Sequence, residues 1–212
     1  MLDLTKLSLN QKHIVSVYLE ASKLELRQGK DWYTTAHDVC QELADTYNKS
    51  FKLVCIIMSV LSPATSWENN VKYCEKFLED YTTDSVSIED NMYTTYKFNA
   101  QKALDFINDP TKAFAWFEAE VSELGSGHKT WSFAHNIYGE TEYATIDRHA
   151  YRVWKHGLGL VEMKTPSLSR KQYISVWSDY SVVANLLGLE VSTLQAVTWI
   201  VIRNKLHPTT DK

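Results

Sequence analysis

The chain has 212 residues, 44% of them apolar and 23% charged, a balance that supports a packed core without disulfides or metal staples and argues against disorder. Its formal charge of −4 speaks against coating nucleic acid through bulk positive charge. The longest apolar run, over 53–61, is far shorter than a membrane span, so no membrane partner is expected.

The first residues, Met1 to Lys6, show no basic block followed by a hydrophobic one. No signal peptide is expected, and the chain is assigned to the cytoplasm. Cys40, Cys55 and Cys74 form an odd set without Cys-x-x-Cys spacing. They read as small buried hydrophobes in a reducing compartment, with neither a zinc nor an iron–sulfur site. Seven glycines and four prolines are few structure breakers, which points to a mostly helical chain.

In chain order, Ile14, Val17, Tyr18, Ala21 and Leu24 follow a three-four rhythm that predicts a helix over 9–27. Asp31 to Thr35 is a polar lead-in to a second helix, with Ala36, Val39, Cys40, Leu43 and Tyr47 on one face. Residues 51–61 read as a helix buried nearly all round and stopping before Pro63. Trp67, Val71, Cys74, Phe77 and Leu78 mark a fourth stripe, and the polar stretch 80–93 a loop. A helix over 98–107 follows, and Pro110 opens the next, which carries Ala113, Phe114, Phe117 and Val121. Helices are then predicted over 130–138, stopped by Gly139, and over 147–156, ended by Gly157. Two more span 172–187 and 193–205, separated by Gly188, with a loop around Pro166. No segment alternates with period two. The class is all-α.

Chemistry concentrates in Leu124-Gly125-Ser126-Gly127-His128-Lys129-Thr130. Two glycines sit between predicted helices in a chain that hardly uses glycine. No apolar strand precedes them, so a Rossmann or P-loop turn fits poorly. A Gly-x-Gly turn between helices admits positive φ and close approach to a ligand. The following helix start is a natural seat for a phosphate. Asp147, eighteen residues after Lys129, lies in Ile146-Asp147-Arg148-His149-Ala150-Tyr151-Arg152-Val153.

Together these segments resemble the helix-hairpin-helix DNA glycosylases of the endonuclease III superfamily. There a Leu-x-Gly-x-Gly-x-Lys-Thr hairpin is followed, at a similar interval, by Val-Asp-x-His-x-x-Arg-Val. Leu61-Ser62-Pro63-Ala64-Thr65 resembles the family's Leu-Ser-x-Gln-x-Thr segment, and Asn99 and Lys102 stand where it has an Asn-x-Lys-Ala helix start. The similarity runs in order over 50–205 and is specific around 124–153. Three departures stand out. The hairpin is one residue shorter before its first glycine. No cysteine follows Cys74, so the iron–sulfur cluster of some relatives is not expected. The glutamine that fills the gap left by a flipped base is missing, with Pro63 or Ala64 in its place.

The resemblance implies two helical lobes, one over 28–144 with the hairpin at the mouth of a cleft, the other formed by 1–27 and 145–212. It implies a monomer that binds DNA and flips the target nucleotide, with a monovalent cation at the hairpin as the one expected ligand. Lys129 would attack C1′ of the deoxyribose and Asp147 would assist; Gly125, Ser126, Gly127, His128, Thr130, Arg148 and Arg152 would meet the backbone. Ser62, Thr65, Trp67, His149 and Gln195 are candidate pocket residues, and Thr198 and Arg203 are further polar positions on the last helix.

Plain readings stand beside these: Lys129 as a solvated lysine, Asp147 as an ordinary helix cap, His128 and His149 as structural histidines. Charge distribution offers an independent observation. From 128 to 171 seven Lys and Arg face four Asp and Glu in an otherwise acidic chain. Arg148, Arg152 and Lys155 recur along one helical face, which suits phosphate contacts. Two alternatives keep the fold. Compact relatives without a cluster occur in bacteriophages, where some are associated with hypermodified thymines, so the pocket could serve group transfer; or the hairpin could simply bind DNA.

Overall fold

The computed structural model describes residues 4–90, 92–159 and 167–207. A short 3₁₀ turn and ten α-helices are present among them, with no strand. The helices are α1 (Leu9–Leu19), α2 (Lys23–Thr46), α3 (Phe51–Leu61), α4 (Trp67–Thr82), α5 (Lys97–Asn108), α6 (Pro110–Glu118), α7 (His128–Tyr138), α8 (Arg148–His156), α9 (Arg170–Leu187) and α10 (Val191–Leu206). Two compact units emerge: Met1–Thr34 with Glu140–Lys212, and Thr35–Gly139. The long helix α2 passes from the first unit into the second.

The Thr35–Gly139 unit is built around α3. Every residue of α3 from Leu53 to Leu61 is buried, and α4, α5, α6 and α7 pack on it. Each fully buried leucine or isoleucine there contributes about 1.5–3 kcal/mol, which explains why the most apolar helix of the chain sits at the centre. Ser50 starts the helix by accepting the Leu53 N–H at 3.3 Å. The three cysteines are all buried thiols. The indole N–H of Trp131 donates to the Phe117 carbonyl at 3.1 Å, pinning α7 to α6.

In the other unit α1, α8, α9 and α10 enclose a core that includes Ile14, Val17, Val153, Val176, Leu194 and Val201. Ser8 with Gln11 and Ser169 with Gln172 form capping boxes, which satisfy two orphan backbone donors each at the starts of α1 and α9. Asp179 of α9 accepts from Gln11 Nε2 and from Trp154 Nε1, both at 2.7 Å, and so ties α1 and α8 to α9.

Several boundaries differ from the sequence reading. The first predicted helix ends at Leu19, and α2 runs unbroken through 28–35. Ser22 and Glu25 explain the shift. The Ser22 hydroxyl oxygen accepts the Glu25 N–H at 3.2 Å and Glu25 Oε2 accepts the Ser22 N–H at 2.9 Å, a capping box that begins a helix where the apolar rhythm predicted continuation. Residues 80–82 belong to α4, and Val121 lies beyond α6. Asp147 precedes α8 instead of opening it. The loop predicted around Pro166 lies outside the described residues.

Candidate functional site

The hairpin joins α6 to α7 within the Thr35–Gly139 unit. Leu124 is buried and anchors the loop, while Gly125, Ser126 and Gly127 are exposed. Gly127 is the N-cap of α7 with φ 80° and ψ 20°, so it has no side chain to cap the helix. The Thr130 hydroxyl donates to the Gly127 carbonyl at 2.8 Å, and the Trp131 N–H to the same oxygen at 3.0 Å. An exposed backbone turn thus leads into a helix start whose dipole favours negative charge. Lys129 is the second residue of this helix and is half-buried.

Only one of the two glycines uses its conformational freedom. A Cβ on Gly127 would sit in the left-handed region, whereas one on Gly125 would meet nothing within 4 Å. Gly127→Ala is expected to cost about 1–2 kcal/mol in urea unfolding. Gly125→Ala should leave stability unchanged, so any DNA affinity it loses reports a ligand that comes close to the turn. Equal stability of both variants would contradict the assignment. His128, expected among the DNA-facing residues, is buried at 8% exposure.

Asp147 belongs to the other unit. Ala144, Thr145 and Ile146 before it are buried, and the Tyr173 hydroxyl donates to the Ala144 carbonyl at 2.9 Å while accepting the Ile146 N–H at 3.1 Å. Asp147 caps α8: Oδ1 accepts the N–H groups of His149 and Ala150, both at 2.8 Å. The plain reading of this aspartate is therefore correct, and it does not exhaust the side chain. Oδ2 accepts the indole N–H of Trp199 at 2.9 Å.

Arg148 and Lys155 are exposed, but Arg152 is 4% exposed and its Nη1 lies 3.5 Å from His149 Nδ1. The basic face read from i, i+4, i+7 spacing is therefore split, because α8 buries His149, Ala150, Arg152 and Val153 together. Burial holds the His149 imidazole below its ordinary pKa of 6.5, with Arg148, Arg152 and His207 acting the same way and Asp147 opposing them. The unfolded chain then takes up the proton first as pH falls through 6.5. The stability this residue contributes is present above that value and is lost below it. His149→Gln should flatten the fall in thermal midpoint between about pH 7 and about pH 5. An unchanged slope would count against a neutral, buried His149.

Of the candidate pocket residues, Gln195 is 4% exposed and its Oε1 accepts the Tyr33 hydroxyl at 2.7 Å. Thr198 is spent inside α10, donating to the Leu194 and Gln195 carbonyls at 3.0 Å. In the other unit, the Ser62 hydroxyl donates to the Ser59 carbonyl at 2.8 Å, Trp67 meets Phe133 edge-on at 6.5 Å, and Thr65 is half-buried. Ala64, one of the two residues the sequence reading set near the missing glutamine, is exposed at φ 61° with its carbonyl held by the Thr95 hydroxyl at 3.3 Å. Tyr33, Tyr173 and Trp199 were not singled out by spacing. The signal available for Trp199 was its position one helical turn beyond Gln195.

Among the described residues no group of three His, Cys, Asp or Glu side chains is placed to hold a metal ion. Burial pushes the Cys55 and Cys74 thiols well up, which suits core packing and not thiolate ligation. A hairpin cation would rest on backbone carbonyls, and that of Gly127 already accepts two donors.

The all-helical architecture carries a helix-hairpin-helix turn, capped by Gly127, between α6 and α7. Among solved structures it is similar to the 8-oxoguanine glycosylase/lyase of Methanocaldococcus jannaschii, in a complex with a 15mer DNA containing 8-oxoguanine. The TM-score is 0.59 at 17% identity, covering 94% of this chain and 99% of that one. By sequence, the chain belongs to a family of unknown function, DUF7178, whose family model matches residues 3–206. A search of curated proteins gave no match.

Proposed function

We propose that this protein is a DNA glycosylase with Schiff-base lyase chemistry, acting on a damaged or modified base. The observation that carries the reading is Lys129 in the first turn of a helix capped by a left-handed glycine and preceded by an exposed backbone turn. A phosphate held at that turn would bring a strand to the amine. An amine attacks only when neutral, and the positive end of a helix disfavours the ammonium. In the proposed step the Lys129 Nζ–C1′ bond forms as the bond between C1′ and the base breaks. The base leaves with the electron pair and is protonated, and the attached amine gives up one of its two protons. The C1′–O4′ bond then breaks, its pair going to O4′, which takes up a proton, while the nitrogen lone pair closes an iminium that keeps the remaining N–H. Asp147 is assigned to stabilise the cationic sugar.

DNA is the proposed partner, acted on by a monomer in the cytoplasm. The test is borohydride trapping on duplexes and single strands that carry abasic sites or modified pyrimidines. A covalent adduct on an abasic substrate supports the reading, and none on any such substrate sinks it. Asp147→Asn should abolish turnover while keeping the helix cap, since asparagine caps as well as aspartate. Asp147→Ala should in addition lose about 1 kcal/mol in unfolding measurements. Ala64 favours a second reading, group transfer to or from a hypermodified thymine as in the bacteriophage relatives. Its methyl group offers no wedge for the gap a flipped base leaves. Absence of an adduct together with retained DNA binding would favour that reading or simple binding.

A further inference from the structure

We infer that Trp199 is a positioning residue for Asp147, fixing through its indole N–H which carboxylate lone pair is left to face the reacting sugar. The inference rests on the glycosylase reading for its chemistry, but its geometry belongs to one unit alone. An ionised carboxylate has about four lone-pair directions. The two backbone N–H groups of the α8 cap take both on Oδ1, and Trp199 takes one on Oδ2. One direction on Oδ2 is left. The cap itself does not need Oδ2, so the indole bond is an addition to helix capping and not part of it.

The ring of Trp199 is occupied in a way that rules out base stacking as its first role. Trp32 of α2 lies against it with centroids 5.2 Å apart, the Arg203 guanidinium sits over it at 4.6 Å, and His149 meets it edge-on at 6.1 Å. These neighbours come from α2, α8 and α10 itself, so the indole is braced from three elements. A braced donor is what a carboxylate needs to keep one rotamer while charge develops beside it, without reorganising at that moment. Among the described residues, the Trp199 indole is the hydrogen-bond donor to Oδ2.

Two measurements test this. In the free protein, the Trp199 indole 15N–1H resonance should move upfield in Asp147→Asn, because the amide offers a donor where the carboxylate offered an acceptor. Trp199→Phe keeps the ring and removes the N–H. It should lower the single-turnover chemical rate about 10- to 100-fold and leave the DNA dissociation constant within twofold. A merely structural tryptophan would lower both together, and that result would overturn the inference. So would an indole resonance that does not respond to Asp147→Asn, a readout that stands even if Trp199→Phe fails to fold. A wild-type protein inactive on every DNA tried would sink the glycosylase reading, and the resonance would still decide whether Trp199 holds Asp147.

Discussion

Replacing Lys129 with alanine is expected to abolish the borohydride-trapped adduct and to cut base release by on the order of 10³-fold or more, the scale for losing a group that acts on the reacting atoms. Lys129→Arg sharpens the test. Arginine keeps the positive charge in the first turn of α7, so DNA binding should stay close to wild type. A guanidinium cannot lose its proton in a protein and forms no Schiff base, so the adduct should vanish as it does in the alanine variant. If the hairpin only binds DNA, the two variants part ways: arginine behaves as wild type and alanine shows a modest, salt-dependent loss of affinity. A residual adduct in both variants would point to a second amine. Lys102 is the candidate, because burial pushes its pKa down and its ammonium lies 4.3 Å from the Trp116 ring centre and 5.1 Å from that of Phe106. Adduct at wild-type level in both variants removes Lys129 from the mechanism.

The helical class was legible because local signals carry it. Phe51–Leu61 and the Pro110 start of α6 follow from apolar periodicity and a single helix breaker, information held within a few residues. Lys129 and Asp147 were legible as a spaced motif, and Asp147 as a cap. What the sequence hid is long-range. Tyr33 meets Gln195 across 162 positions and Trp199 meets Asp147 across 52, and no periodicity predicts which buried aromatic will find which polar group. Arg152 shows the limit of pattern from the other side. Charges at i, i+4 and i+7 share a face, but spacing does not say whether that face meets solvent, and in α8 the middle member is drawn in beside His149.

Gly29→Ala is expected to be strongly destabilising, because the added methyl group meets the backbone of a neighbouring helix. The added Cβ would lie 2.4 Å from Val197 Cγ2, 2.6 Å from its Cα and 2.7 Å from its backbone N. A side-chain methyl could rotate away; the backbone of α10 cannot, so the two helices must part. Alanine's better helix propensity returns only about 1 kcal/mol. Overpacking against a fixed backbone costs about 1–3 kcal/mol, occasionally more, and here the displacement also loosens contacts that α2 and α10 share. Those are the Tyr33 bond to Gln195 at 2.7 Å, the Asn204 bond to Glu25 at 3.1 Å and the Trp32–Trp199 ring contact. A net loss of about 3 kcal/mol would lower the thermal midpoint by about 6–12 °C for a chain of this size, while Gly125→Ala should melt with the wild type. An unchanged midpoint would show that α2 and α10 are not packed backbone to backbone at Gly29. Because Trp32 and Trp199 sit on these same two helices, the Trp199 indole resonance should shift in Gly29→Ala as well. Glycine, used only seven times in the chain, thus does its largest work away from the hairpin that first drew attention to it: Gly29 sets the distance between the helix that supplies Trp32 and the helix that holds Asp147 through Trp199.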